Sequence, residues 1–411
     1  TMNATAGNLT VGNLDSYNRI ALTAGAGSIS QVVGTSIITR NNSSSSPITN
    51  VINAPNGTVV LDNANTFAAN NIFQVNATTA NITSGSTMVL GTTNVTGNLN
   101  LVSTGGDITL GTGLGTGGQA ITVGNVLSAT VAGAGQILDG DYSPVTVLGG
   151  LNLVTAGGNI VLNAATANGV FAPAVRYGVI NANAGVGSVT LAETTALNLG
   201  NITASSLTAS SVQGGIVDTG NLSITGTASL VVGGNNTIFF DSTGHSINTL
   251  NVSGTGSATI AVAAPVILGT GANILTGDLT VTSAAAQNIT LGASMVAGNV
   301  TLNAGGIIDL VGVISINGNA SFNALTNTTI TATTGGLLSD YLPAVTASRN
   351  STATVGVPPV ANPLFDTVSA ITVNSSRAAG NAAYLPDILS LAGAGTLTIA
   401  GTGAGATGTL T

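Results

Sequence analysis

Histidine and glutamate, two side chains often used for proton transfer, occur once each in this chain, as His245 and Glu193. Residues that could supply a nucleophile or a second acid surround the histidine in sequence: Asp241, Ser242 and Ser246. A catalytic triad also needs an oriented base and an oxyanion hole, and the sequence indicates neither. We therefore expect His245 to be a corner residue beside a buried Phe239 or Phe240. Glycosidase chemistry by paired carboxylates would have to use dispersed Asp residues.

Two short motifs have the spacing of ligand-binding loops. Gly113, Gly115 and Gly118 match the GxGxxG pattern of a phosphate-binding loop. The residues that follow, 119–123, read as a strand and not as the helix whose N-terminus would bind the phosphate, so we expect a corner. Alternating oxygen ligands, as in a calcium loop, occur at Asp139, Asp141 and Ser143. Pro144 takes the glycine position there and no glutamate follows, which predicts a solvated turn.

A third pattern is a spacing of 31 residues between Asp278, Asp309 and Asp340. Such a spacing would build a carboxylate ladder only if it matched the length of one repeat. The repeat described below is shorter, so we interpret this spacing as coincidence. The sequence therefore assigns no catalytic, cofactor-binding or metal-ligating residue and no cofactor, and it predicts a protein that is not an enzyme.

The elements that would have to position any such residue are short strands. One phrase recurs along the chain: a glycine, a small polar residue, then alternating apolar and Thr or Asn residues, at 7–11, 97–101, 157–162, 220–224, 277–281 and 298–302. Alternation with period two is typical of a half-buried strand, and Gly and Asn allow the bends between strands. Gly277, Gly298 and Gly318 are 21 and 20 residues apart. The sequence thus predicts an all-β parallel β-helix (β-solenoid) with about 20 residues per coil and lateral loop excursions.

The repeat divides the chain into five predicted segments. Residues 1–40 read as solenoid coils, 41–74 as irregular coils or a lateral loop, and 75–336 as the main solenoid. Residues 337–391 contain half of the prolines and depart from the pattern, which predicts either an excursion folded on the solenoid or a segment that docks on a neighbouring subunit. Repeat phrases return at 392–411, which predicts a solenoid-like C-terminal coil.

Composition limits the partners. Charged residues make up 4% of the chain, lysine is absent and the net charge is −8. Nucleic acid is therefore not an expected partner, because phosphate binding depends on clustered Lys and Arg. Cysteine is absent, which excludes disulfides and thiolate metal sites. The longest apolar run, 260–268, is far shorter than the roughly 20 residues of a membrane-spanning helix, so we expect no membrane-spanning segment.

Two of the repeat phrases carry a resemblance to a known family. The segments Gly-Gly-Asn-Ile-Val-Leu-Asn-Ala at 157–164 and Leu-Thr-Ala-Gly-Ala-Gly-Ser-Ile at 22–29 resemble the repeats of bacterial filamentous-haemagglutinin-like exoproteins and autotransporter passengers. The resemblance implies a right-handed coil, export across a Gram-negative envelope, an extracellular or cell-surface location, and roles in adhesion, biofilm matrix or surface structure.

Three functions follow as hypotheses. The first is a secreted structural fibre, a homopolymer that assembles through the solenoid ends and 337–391. The repeat pattern continues to Thr411, which predicts an uncapped last coil whose backbone groups can pair with another subunit. The second is an adhesin rod that binds cell-surface or glycan ligands through loops such as 164–184 or 337–391. The third is a carbohydrate-active β-helix enzyme, which the lack of lysine and the scattered arginines disfavour.

Overall fold

The computed structural model describes residues 1–40, 47–68, 71–112, 119–140, 145–163, 176–269, 273–292, 294–296 and 298–310, and the strand segments 314–316, 320–324, 327–331, 345–349, 355–356, 370–375 and 396–401. These residues form an all-β parallel β-solenoid of about 13 turns with roughly 21 residues per turn, and they contain no helix. The predicted fold class and coil length are confirmed. The right-handed sense of coiling stays a prediction.

The first of two compact units spans Thr1–Val212. All of its described strand pairs are parallel. In chain order its strands are β1 (Met2–Ala4), β2 (Leu9–Val11), β3 (Leu14–Ser16), β4 (Ala21–Ala24), β5 (Ile29–Gln31), β6 (Ile37–Thr39), β7 (Ile48–Asn65), β8 (Asn71–Ser84), β9 (Met88–Val95), β10 (Leu99–Ser103), β11 (Ile108–Leu110), β12 (Ile121–Val123), β13 (Val126–Val131), β14 (Ile137–Asp139), β15 (Val145–Thr155), β16 (Ile160–Leu162), β17 (Arg176–Asn183), β18 (Ser188–Glu193), β19 (Leu197–Ala204) and β20 (Ser206–Ser211).

The second unit spans Gln213–Thr411 and is built in the same way. Its described strands also pair in parallel, each with the equivalent strand of the next coil. They are β21 (Ile216–Asp218), β22 (Leu222–Val232), β23 (Ile238–Phe240), β24 (Ser246–Gly254), β25 (Ala258–Val262), β26 (Val266–Leu268), β27 (Asn273–Leu275), β28 (Leu279–Ala285), β29 (Ile289–Leu291), β30 (Ser294–Val296), β31 (Val300–Gly305), β32 (Ile307–Leu310), β33 (Ile314–Ile316), β34 (Ala320–Ala324), β35 (Asn327–Thr331), β36 (Val345–Arg349), β37 (Val355–Gly356), β38 (Ala370–Ser375) and β39 (Thr396–Gly401).

Inward-facing apolar residues of successive coils stack into columns. In the first unit the register aligns four buried residues on β8, β10, β13 and β15: Ile82, Leu101, Ala129 and Leu153. In the second unit a column on β23, β25, β28 and β31 contains Phe240, Ile260, Val281 and Leu302, all buried. Burial of apolar surface between coils stabilises the stack at about 25 cal/mol per Å². The period-two alternation in the sequence therefore corresponds to an inside and an outside of each coil.

The Gly-Asn pair that starts the repeat phrase serves the contact between coils. Asn159 Oδ1 accepts the backbone N–H of Ser188 at 2.9 Å, one coil further on. The same contact recurs at other corners, where a side-chain oxygen of Asn8, Asn98, Asp107 or Asp278 accepts a backbone N–H of the following coil. These side chains satisfy backbone donors at corners, where the sheet ladder is interrupted.

Of the two alternatives for segment 41–74, irregular coils or a lateral loop, the second needs a correction, because strands β7 and β8 cover most of the segment. The serine run at 43–46 lies outside the described residues. Pro55 lies inside β7 where the register with β8 shifts between Ala54 and Thr58. A proline is tolerated at such a bulge because its missing N–H is not needed by the ladder. Residues 48–65 are therefore solenoid strand and not a lateral loop.

Other predicted excursions lie partly in strands. β17 occupies 176–183 of the predicted loop 164–184 and pairs with β15 and β19, while 164–175 lie outside the described residues. In 337–391 the described strands are β36, β37 and β38, and β36 pairs in parallel with β34 and β38. β39 pairs with β38 within the predicted C-terminal coil. The remainder of both C-terminal segments, including any docking surface, lies outside the described residues.

Candidate functional site

The single histidine of the chain lies inside the second unit and not on its surface. His245 precedes β24, and its ring centroid is 5.4 Å from that of Phe240. Its Nε2 lies 3.2 Å from Oδ2 of Asp218 at the end of β21, and both side chains are 0% exposed. The expected corner position beside a buried phenylalanine is confirmed for Phe240, whereas Phe239 is exposed.

Among the described residues, Nδ1 of His245 has a hydrogen-bond partner, whereas Nε2 faces the Asp218 carboxylate without hydrogen-bond geometry. Nδ1 accepts the backbone N–H of Leu222 at 3.0 Å. An accepting Nδ1 places the proton of a neutral imidazole on Nε2, which faces the Asp218 carboxylate. Asp218 in turn accepts the backbone N–H groups of Asp241 and Ser242, at 3.0 and 3.2 Å. The pair therefore fixes the turn between β23 and β24.

Burial governs the protonation of this pair. Desolvation lowers the pKa of His245 below its ordinary value, and the negative charges of Asp218 and Asp241 oppose that shift in part. A neutral, fully enclosed imidazole whose Nδ1 already accepts a backbone N–H cannot take a proton from a bound solute. The geometry is that of a structural pair, and within the described residues it lacks the open base that a triad requires.

The single glutamate is buried in the first unit. Glu193 ends β18, and its Oε1 accepts the backbone N–H of Tyr177 at 3.1 Å, while Thr195 Oγ1 donates to Oε2 at 3.3 Å. Burial raises the pKa of Glu193 to about 8, against the lowering effect of the two hydrogen bonds. The group is therefore mostly protonated at pH 7.

Tyr177 lies against this carboxyl group and is itself buried. Desolvation, with the charges of Asp139 and Glu193, raises the pKa of Tyr177 well above its ordinary value. Its phenol therefore stays neutral, and its hydroxyl has no hydrogen-bond partner among the residues that the structure describes. The cluster is enclosed and can hold protons, but it offers no exposed acid or base to a substrate.

The glycine and calcium-like motifs fall only partly within the described residues. Gly113, Gly115 and Gly118 lie outside them, and the strand expected after the motif is β12. Asp139 ends β14, and its Oδ1 accepts the backbone N–H of Asn163 at 3.0 Å. Asp141 and Ser143 lie outside the described residues. The predicted strand after the glycine motif is thus confirmed.

The aspartates spaced 31 residues apart occupy different positions in the coil. Asp278 lies at the corner before β28 and accepts the N–H of Asn299 through Oδ1 at 2.6 Å. Asp309 lies in β32, in register with Thr290 and Thr329. Asp340 lies outside the described residues. Asp278 and Asp309 do not stack, as expected from a coil of roughly 21 residues.

The partner that the sequence did not identify for His245 is Asp218. The register pairs Ile216 with Ile238 and Val217 with Phe239, which brings Asp218 beside the turn that holds His245. His245 follows Asp218 by more than this 22-residue offset, so the contact depends on the turn after β23 and not on coil length alone. Glu193 lies 16 residues after Tyr177, which is less than one coil of roughly 21 residues, so the coil length would not have paired them.

The described part of the chain holds no group of three or more His, Cys, Asp and Glu side chains that could bind a metal ion. Within those same residues, no helix is long and apolar enough to cross a membrane.

The fold defines a repeat protein of the β-solenoid class. Residues 186–253 and 276–337 match a family model described as repeats of unknown function (DUF5649). The two matched stretches include His245, Asp218 and several of the Gly-Asn corners, so the similarity falls on coil-building sequence. Neither a curated protein nor a solved structure matches the chain.

Proposed function

We propose that this chain is a non-enzymatic structural protein that forms an extracellular or cell-surface fibre by end-to-end stacking of β-solenoid subunits. One observation carries the proposal: polar side chains at the corners bind the backbone of the next coil, as Asn159 and Asp278 do. The single histidine and the single glutamate also make contacts inside the fold and not with solvent. The same corner contacts and parallel strand pairing that join two coils of one chain can also join the end coil of one chain to the first coil of another.

Electron microscopy of the purified chain tests this proposal. We expect long filaments with a regular axial repeat, and we expect them to persist in 1 M NaCl. Few charges contribute to contacts between coils, and salt at that concentration screens charges beyond about 3 Å. Isolated short particles at all concentrations, or filaments that dissociate at moderate salt, would contradict the proposal.

An adhesin that binds cell-surface or glycan ligands is the second candidate function. It is favoured by coils of unequal length: Met2 pairs with Leu22, whereas Ala21 pairs with Val51 and Thr146 with Arg176. The longer coils contain about ten additional residues, which can carry binding surfaces without disturbing the strand register. Shortening 164–175 should then abolish binding to cells and leave the solenoid intact, as measured by circular dichroism. Loss of folding together with binding would argue against a separate binding loop.

A further inference from the structure

Six successive amide and hydroxyl side chains form a column on one face of the first unit, and the register continues from the last of them to Arg176. The strand register places its members directly above one another on β4, β7, β8, β9, β12 and β15: Thr23, Asn53, Asn76, Asn94, Thr122 and Thr146. All six are half-buried or exposed. Adjacent strands are about 4.8 Å apart, so this column, here called the amide track, offers one polar group per coil at that spacing.

The amide track is ordered by its own hydrogen bonds. Asn76 Nδ2 donates to Asn53 Oδ1 at 2.9 Å, and Asn94 Nδ2 donates to Asn76 Oδ1 at 3.3 Å. A primary amide has two N–H donors and a carbonyl with two lone pairs. Each amide therefore keeps a donor after the ladder is formed. The side chains are held in one orientation before a ligand arrives, which lowers the entropic cost of binding.

A groove of about 300 Å³ lies along the centre of the track, lined by residues that include Val51, Gln74 and Thr92 beside the three asparagines. A bulge in β9 helps to shape it, because Gly91 and Thr92 together lie opposite Gln74 of β8. Bulges redirect side chains in this way. Val51 adds an apolar contact, and none of the lining residues is charged.

The chemistry of this surface selects a class of ligand. Nucleic acids and acidic polysaccharides need cationic partners, which the groove lacks. A neutral extended polysaccharide offers hydroxyl donors and acceptors along its edges and apolar C–H faces, and one sugar ring is about as long as one coil spacing. We propose that the amide track binds a neutral, extended polysaccharide that lies along the stack of coils. This inference gives the second candidate function a site and a ligand class, and it is independent of whether subunits form filaments.

Saturation-transfer NMR and titration calorimetry with cellohexaose, a neutral extended hexamer, test the proposal. Maltohexaose, which coils, and hexagalacturonate, which is charged, serve as comparison ligands. We expect saturation transfer to cellohexaose, binding at least tenfold weaker for both comparison ligands, and recovery of the sugar uncleaved. No transfer to cellohexaose, or equal affinity for hexagalacturonate, would overturn the proposal. Cleavage of the sugar would overturn the non-enzymatic function proposed above, while supporting the site.

Variants separate the site from the fold. The double variant Gln74→Ala with Asn76→Ala removes two amides from the groove, and we expect cellohexaose to bind about tenfold more weakly, as the loss of two hydrogen bonds implies. Thr122→Val keeps the side-chain shape on an exposed position and should weaken binding several-fold without affecting folding. Asn152→Ala is the matched control, since Asn152 accepts from Asn181 in a separate amide pair of the same unit. Unchanged binding in both track variants, or equal weakening in Asn152→Ala, would overturn the proposal.

Discussion

Gly158 lies directly against the carbonyl oxygen of Gly135 in the preceding coil, so close that a Cβ atom on Gly158 would overlap it. Gly187 makes the same approach to Gly158 one coil later. Glycine permits backbone contact of this kind because it has no side chain. The glycines of the repeat phrase are therefore needed where corners of successive coils touch.

Gly158→Ala should lower the free energy of unfolding by roughly 1–3 kcal/mol, since an added methyl group must displace the backbone of a neighbouring coil. The matched control is Gly12→Ala, because a Cβ atom on Gly12 would have no atom within 4 Å. Urea denaturation of both variants measures the difference. An equal effect at the two positions would contradict the role assigned to the close approach.

Asn159→Ala should destabilise the chain by about 1 kcal/mol, because the half-buried corner loses the acceptor for the Ser188 N–H. Asn159→Asp should restore most of this stability, since an aspartate oxygen makes the equivalent contact at Asp107 and Asp278. Thermal denaturation of the two variants beside the parent chain provides the measurement. Failure of the aspartate to rescue would show that the side-chain acceptor is not the stabilising feature.

Glu193→Gln should stabilise the chain at neutral pH. The pKa of Glu193 is about 8 in the folded protein against 4.5 for the free group. The unfolded chain therefore releases this proton at lower pH than the folded chain, and stability falls as pH rises from about 4.5 to 8. Glutamine carries no such charge and can still accept from Tyr177. We expect a gain on the order of a few kcal/mol at pH 7 and almost none at pH 4, measured by urea denaturation at both values.

The opposite dependence is expected for His245. Its pKa is lowered in the folded protein, so the unfolded chain takes up a proton first as pH falls below 6.5, and stability is lost in that direction. Protonation of Nδ1 would also place its N–H against the N–H of Leu222, so the hydrogen bond between them would be lost. The imidazole resonances of this single histidine should report the Nε2–H form and a pKa below 6.5 by NMR.

The contribution of His245 to stability can be isolated in a Glu193→Gln background, where the opposing titration is absent. There, His245→Asn should lower stability at pH 7.5 and abolish the fall between pH 6.5 and 5. Asparagine can accept from Leu222 but does not titrate. An unaltered fall in the double variant would assign the acid sensitivity to other groups.

Much of the fold was predictable because the solenoid repeats one local pattern. The alternation of apolar and polar residues gave the strands, and the glycine spacing gave a coil length close to the observed one. In 41–74 the lateral-loop alternative is wrong over 48–65, because pairing with β8 forms a bulge that accepts Pro55 within a strand. The contact of His245 with Asp218 does not follow from the repeat either, since it depends on the turn between β23 and β24 that Asp218 binds.

The sequence alone determined that this protein is a parallel stack of short strands with very few charges, because period-two alternation and regular glycines leave few other ways to bury the apolar residues. Only the tertiary structure decided which polar side chains meet. Coil length and turns differ along the chain, so the neighbours of Glu193, His245 and Asn76 depend on the path of each coil. For that reason the candidate sites followed from the register and not from sequence spacing.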